Sequence, residues 1–121
     1  MTAGETVQRL LATALTAADP GAAIATAADD PRLSDDDRRM IAAIDRDGFR
    51  ISAMLVARLR LERLLHGHPA VDDWLARDPE RFTEVFRHYH ASVLPEAFFP
   101  PEEARAFDAW LSATGTAIPS M

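Results

Sequence analysis

The sequence predicts an all-α protein, a single compact bundle of about five to six helices around a long central one, and three observations carry that reading. Apolar residues recur at three- and four-residue steps through most of the chain. Proline and glycine stand between those stretches rather than inside them, and no stretch alternates apolar with polar residues as a half-buried strand would. A length of 121 residues suits one domain with one core, with residues 115–121 expected as a loose tail beyond Gly115.

The elements follow in order. Thr2-Ala-Gly-Glu5 has the spacing of a capping box, and Val7, Leu10, Leu11, Ala14 and Leu15 then share a face, predicting a helix from about Gly4 to Ala18. Asp19-Pro20 stops it and can open a short alanine-rich helix through about Ala28, because Asp caps and Pro fits the first helical position. Ser34 with Asp35, Asp36 and Asp37 then sets a hydroxyl and three carboxylates where the helix dipole favours negative charge. A long helix is expected from there to about Leu65. Its stripe would be Ile41, Ile44, Ile51, Leu55 and Leu59, with Gly48 letting a neighbour approach and Arg39, Arg46, Arg50 and Arg60 opposite. From Met54 to Leu65 apolar residues stand almost all round, so this helix is expected to be surrounded by the others.

Gly67 and Pro69 end that helix and open a short one carrying Val71, Trp74 and Leu75. Asp78-Pro79-Glu80 starts the next, with Phe82, Val85, Phe86 and Tyr89 on its inner face. Pro95 and Pro100-Pro101 then bracket a loop, and Ala104, Phe107, Trp110 and Leu111 make the inner face of a last helix. Within the loop Phe98 and Phe99 are adjacent. With a proline opening the last helix, Phe99 falls near the residue before the N-cap and can staple onto Ala104 or Phe107, while Phe98 has no structural assignment.

Charge is uneven along the chain. The net charge is −6, and all thirteen basic residues are arginine. Residues 1–37 sum to −5, residues 38–68 to +4 and residues 69–121 to −5, a basic middle between acidic ends. Such a middle is either neutralised internally or offered to an anion, and the net charge argues against a generic nucleic-acid binder. Absence of cysteine removes disulfides, thiolate metal sites and thiol catalysis. No apolar run is long enough to span a membrane and no leader pattern is seen, so a cytoplasmic location is expected.

Chemical constellations are sparse. Asp45-Arg-Asp47-Gly48 has part of a calcium-loop pattern, but aligning Gly48 with the turn glycine puts Ala43 and Met54 at ligand positions, so helix surface is expected instead. His88 and His90 are two apart and face opposite ways on a helix, and Glu62 with His66 lacks a third ligand, so no metal or cofactor is expected. Ser34, Ser52, Ser92, Ser112 and Ser120 lie in no nucleophile-elbow context and no phosphate-cradling glycine loop is present, so no catalytic residue is assigned.

Taken in order, "VQRLLATAL", "PRLSDDDRRMIAAIDRDGFRISAML", "RLRLERLLHG", "WLARDPERFTEVFRHYHASVLPEAFF" and "ARAFDAWL" resemble a family of small helical proteins grouped as DNA-binding domains. Members are often encoded beside multinuclear non-haem iron oxidative enzymes that modify ribosomally made peptides. The resemblance covers about residues 7–113, though the family usually continues into a second domain and carries an arginine and asparagine pattern represented here only by Arg46 and Arg50. It implies a non-catalytic partner that docks on the iron-bearing enzyme and helps to present the precursor peptide, the iron ligands belonging to that enzyme.

The first functional reading is therefore an adaptor whose contact residues are Phe98, Phe99, Arg87, His88, Arg46 and Arg50, since partners are held through a few aromatic and arginine anchors. The alternative is a nucleic-acid-binding regulator using the Arg-rich middle. A small enzyme working through histidine or carboxylate acid-base chemistry ranks last.

Overall fold

The computed structural model describes residues 2–119, with Ala3 in backbone only, and all regular structure among them is helical. Seven helices follow one another: α1 (Ala3–Thr16), α2 (Pro20–Ala27), α3 (Asp35–Ala42), α4 (Arg46–Gly67), α5 (Pro69–Arg77), α6 (Pro79–Ser92) and α7 (Pro100–Thr114). The count exceeds the five to six expected because the long helix is broken. Asp45 interrupts it: its carboxylate accepts from the Gly48 backbone N–H at 2.9 Å, capping a new helix at Arg46. The Asp-Arg-Asp-Gly stretch is thus a helix start rather than continuous helix surface. By its contacts the chain divides into two compact units between Ala57 and Arg58, inside α4.

In the first unit every short helix begins on a side-chain cap. Thr2, Asp19 and Ser34 accept from the backbone N–H groups of Glu5, Ala22 and Asp37, each at 3.1 Å. Each cap contributes about 1 kcal/mol, which matters for helices of eight residues that are marginal alone. Their inner faces meet in a core of Val7, Ala14, Ile24, Ala28, Leu33 and Ile41, with Leu10, Leu11, Ile44 and Phe49 packed on it. Gly21 opens α2 beneath the Arg50 side chain, and a Cβ there would lie 2.6 Å from the guanidinium.

In the second unit Pro69, Pro79 and Pro100 each open a helix, where a missing N–H costs nothing. The core is aromatic: Trp74, Phe82, Phe86, Tyr89 and Phe107 with Leu64, Val71, Val85 and Leu111. Trp74 meets Phe82 edge-on at 5.4 Å, and Tyr89 meets Phe107 edge-on at 4.9 Å, the arrangement the ring quadrupoles favour. Gly115 closes α7 at φ 70°, a left-handed conformation suited to glycine. The stretch beyond it was expected to be loose, yet Ile118 packs against the core and the Pro119 carbonyl accepts from Arg77 Nη2 at 3.3 Å. Ser120 and Met121, the rest of that tail, lie outside the described residues.

Helix α4 presents the reverse of the face expected. Its buried positions are Ala53, Arg60 and Leu64, whereas Ile51, Met54, Leu55 and Leu59 are 54–72% exposed. The expected aliphatic stripe points outward and Arg60, placed on the outer basic stripe, points inward. The inversion has a physical cause: Glu103 supplies an opposite charge for Arg60 inside the second unit. The core assignment is testable. Phe107→Ala should destabilise the protein by about 3–5 kcal/mol and lower the urea midpoint, whereas Met54→Ala should change it by no more than about 0.5 kcal/mol.

Candidate partner-docking surface

Between α6 and α7 the chain runs from Val93 to Phe99 without regular structure, and it leaves Phe98 83% and Phe99 66% exposed, with Leu94 partly so. Two adjacent phenylalanines in water are unusual enough to ask what holds them there. Phe99 proves to be the N-cap residue of α7 itself, with extended backbone and no side-chain cap bond. The expected staple onto Ala104 or Phe107 is therefore absent: the staple position is one residue earlier, and Phe99 turns outward.

Both ends of this loop are fixed. At its start the Val93 N–H donates to the Tyr89 carbonyl at 2.9 Å, the Val93 side chain packs on the aromatic core, and the Val93 carbonyl accepts from Arg60 Nη1. At its end the Pro100 backbone lies against Gly67. A Cβ on residue 67 would stand 2.2 Å from the Pro100 oxygen, so only glycine allows this approach. The Phe99 carbonyl accepts from the N–H groups of Glu102 and Glu103 at 3.1 and 3.2 Å, joining the loop to the first turn of α7.

Arg60 belongs to a buried polar cluster. Its side chain is 1% exposed and its Nε donates to Glu103 Oε2 at 3.0 Å, while Glu103 is wholly buried. The same carboxylate oxygen accepts from the Tyr89 hydroxyl at 2.5 Å, and Arg63 lies 3.6 Å from the other oxygen. The guanidinium sits 4.2 Å above the Tyr89 ring, a cation–π contact strengthened by desolvation. Burial, then the bond to Glu103, hold the Tyr89 hydroxyl firmly protonated, well above the usual phenol range.

His90 completes the cluster. Its Nδ1 lies 3.3 Å from Arg60 Nη1, and because a guanidinium only donates, Nδ1 accepts and Nε2 carries the proton. The ring stacks on Phe86 at 5.8 Å. Burial, with the Arg60 charge adding to it, lowers the imidazole pKa to about 4, Glu103 opposing. His88, two residues earlier, is exposed, so the two histidines face opposite ways as their spacing implies.

The other candidates are dispersed. His88 lines a cleft of about 360 Å³ with Arg81, Trp110 and Thr116, while Arg87 lines a separate one of about 370 Å³ with Pro79 and Thr83, and neither includes Phe98 or Phe99. Arg46 and Arg50 start α4 in the first unit, Arg50 pairing with Asp47 at 3.2 Å. Six of the seven arginines of the basic middle stand in ion pairs among the described residues: Arg38, Arg39, Arg50, Arg58, Arg60 and Arg63. Four of those six pair with an acid three or four residues away, so much of the neutralisation is local rather than drawn from the acidic ends. No three His, Asp or Glu among the described residues stand close enough to hold a metal. Set against family models, curated proteins and solved structures, the chain finds no match.

The lowered His90 pKa makes stability pH-dependent with a defined sign. A histidine near 6.5 when unfolded and about 4 when folded binds more protons unfolded across that interval. Its contribution is full above pH 6.5 and is lost as pH falls toward 4. Urea denaturation at pH 7 and 4.5 should show a loss from this group of roughly 2 kcal/mol, and His90→Phe should remove that part of the difference.

Proposed function

We propose that this chain is a non-catalytic helical adaptor that docks on a peptide-modifying multinuclear iron oxidase and helps to present its precursor peptide, with Phe98 and Phe99 as the docking anchors. The observation that supports docking is the pair of exposed phenylalanines on a loop clamped at both ends. Exposed aromatic side chains on a rigid support bury large area against a partner at little ordering cost. The partner's class comes from the sequence resemblance, and the iron ligands would be the oxidase's own.

Phe98 is the principal anchor, being the more exposed of the two, and Phe99 widens the same contact. Arg87 and His88, exposed on α6, and Arg46 and Arg50, at the start of α4, are polar candidates for the peptide or the rim of the contact. Nucleic-acid binding is the weaker reading, because most of the basic middle already has carboxylate partners and phosphate contacts need available cations.

Pull-down from the native host with the tagged chain should recover an iron oxidase of this class. Phe98→Ala with Phe99→Ala should abolish that recovery while moving Tm by no more than about 2 °C, since neither ring is in the core. Full recovery with the double variant, or a large fall in Tm, would remove the loop from the docking role.

A further inference from the structure

One nitrogen of Arg60 serves two acceptors. Arg60 Nη1 donates to His90 Nδ1 at 3.3 Å and to the Val93 carbonyl, so its two hydrogens are committed, one to α6 and one to the start of the loop that carries Phe98 and Phe99. The guanidinium is anchored elsewhere, by Nε on Glu103 Oε2 at 3.0 Å and by its face on the Tyr89 ring at 4.2 Å. It can therefore pivot about its Nε end without leaving its counter-charge, and such a pivot carries Nη1 off both acceptors together.

His90 has less freedom to move. It is buried, and its ring lies nearly parallel to that of Phe86 with the centroids 5.8 Å apart. A proton on Nδ1 turns the acceptor into a donor and sets a second positive charge 3.3 Å from the first. Glu103 opposes the repulsion, but the oxygen that faces Arg60 already accepts from that residue and from the Tyr89 hydroxyl. The ionisable groups that act on the imidazole are Arg60 from α4 and Glu103 from α7, and α5, which also packs on α6, contributes none among the described residues.

We propose that His90 is a proton-sensitive latch on this loop: an imidazolium there turns Arg60 Nη1 off the Val93 carbonyl and frees the start of the segment that bears Phe98 and Phe99. The far end, where Pro100 lies against Gly67, is untouched, so the segment loosens without detaching. The latch's bearing on docking rests on the reading of the two phenylalanines as anchors, whereas the latch itself is measured without a partner. Its sign follows from proton linkage. Burial and the Arg60 charge lower the imidazole pKa to about 4 while the latch is closed, and release returns it toward its ordinary 6.5. The closed form binds fewer protons, so the latch is fully effective above pH 6.5 and is lost as pH falls toward 4. Between pH 7 and 4.5 the balance of released over closed chains should rise roughly 60-fold.

Amide hydrogen exchange of the full chain, read residue by residue by NMR and corrected for the intrinsic rate at each pH, tests the latch. The Val93 N–H, which donates to the Tyr89 carbonyl at 2.9 Å, should be less protected at pH 7 than the core amides of Leu64 and Phe107, and should lose about a further 60-fold at pH 4.5. His90→Asn, which keeps an oxygen acceptor toward Arg60 and takes up no proton, should hold the Val93 protection within about threefold over the same range. Val93 protection equal to that of Leu64 and Phe107 at both pH values would mean release only by global unfolding and would overturn the latch. So would Val93 protection that does not change with pH in the unsubstituted chain, a result that decides the matter even if the variant does not fold. A loss in a folded His90→Asn as large as in the parent would take the proton away from His90 and overturn it equally. If the Val93 result holds while the pull-down fails, the docking role alone is removed.

Discussion

A guanidinium with one per cent of its surface in water sets the terms for the second unit. Moving such a charge out of solvent costs several kcal/mol, and the cost is offset only if its hydrogen bonds and its charge are all answered nearby. Arg60 is answered from three directions: a carboxylate from α7, an aromatic face and a ring nitrogen from α6, and the Val93 carbonyl just beyond α6. Each of those groups is held in place by the same guanidinium. Buried ion pairs contribute little net stability, but removing one member strands the other, so the arrangement tolerates few alternatives. Its value here lies in specifying one geometry, with α6, α7 and the loop between them in a single register.

That register bears on function because the loop is where the chain exposes its largest apolar side chains. Nothing in the loop's own sequence makes it rigid apart from its prolines. The order comes from outside it, from a charge at one end and a missing Cβ at the other. The buried polar cluster thus fixes the shape of the segment that carries the exposed rings.

Much of the fold was legible because its signals are local. Ser34, Asp19 and Asp78 cap helices as hydroxyl or carboxylate side chains do before apolar-periodic segments, and the prolines at 69, 79 and 100 open helices as a residue lacking an N–H can. Asp45 carries the same signal, but the apolar spacing on either side of it reads as one uninterrupted helix. The facing of α4 was not legible. It depends on Glu103, forty-three residues from Arg60 in sequence, and a periodicity argument prefers aliphatic residues inside unless it knows that a buried arginine will find its counter-charge. For the candidate contacts, the exposure of Phe98 was readable from proline bracketing. The outward turn of Phe99 was not, since a shift of one residue in the helix start decides between staple and cap.

The clamp on the loop also has a kinetic consequence. A flexible loop must find its bound shape during each encounter, which slows association and spreads the effects of substitution over both rate constants. A loop already ordered when the chain folds would, in the proposed docking role, meet a partner in one conformation. Changes in the rings should then leave the encounter rate nearly as it was and act on how long the complex lives. Changes at Gly67 or Arg60, by loosening the loop, should slow the encounter although neither residue is exposed at the contact.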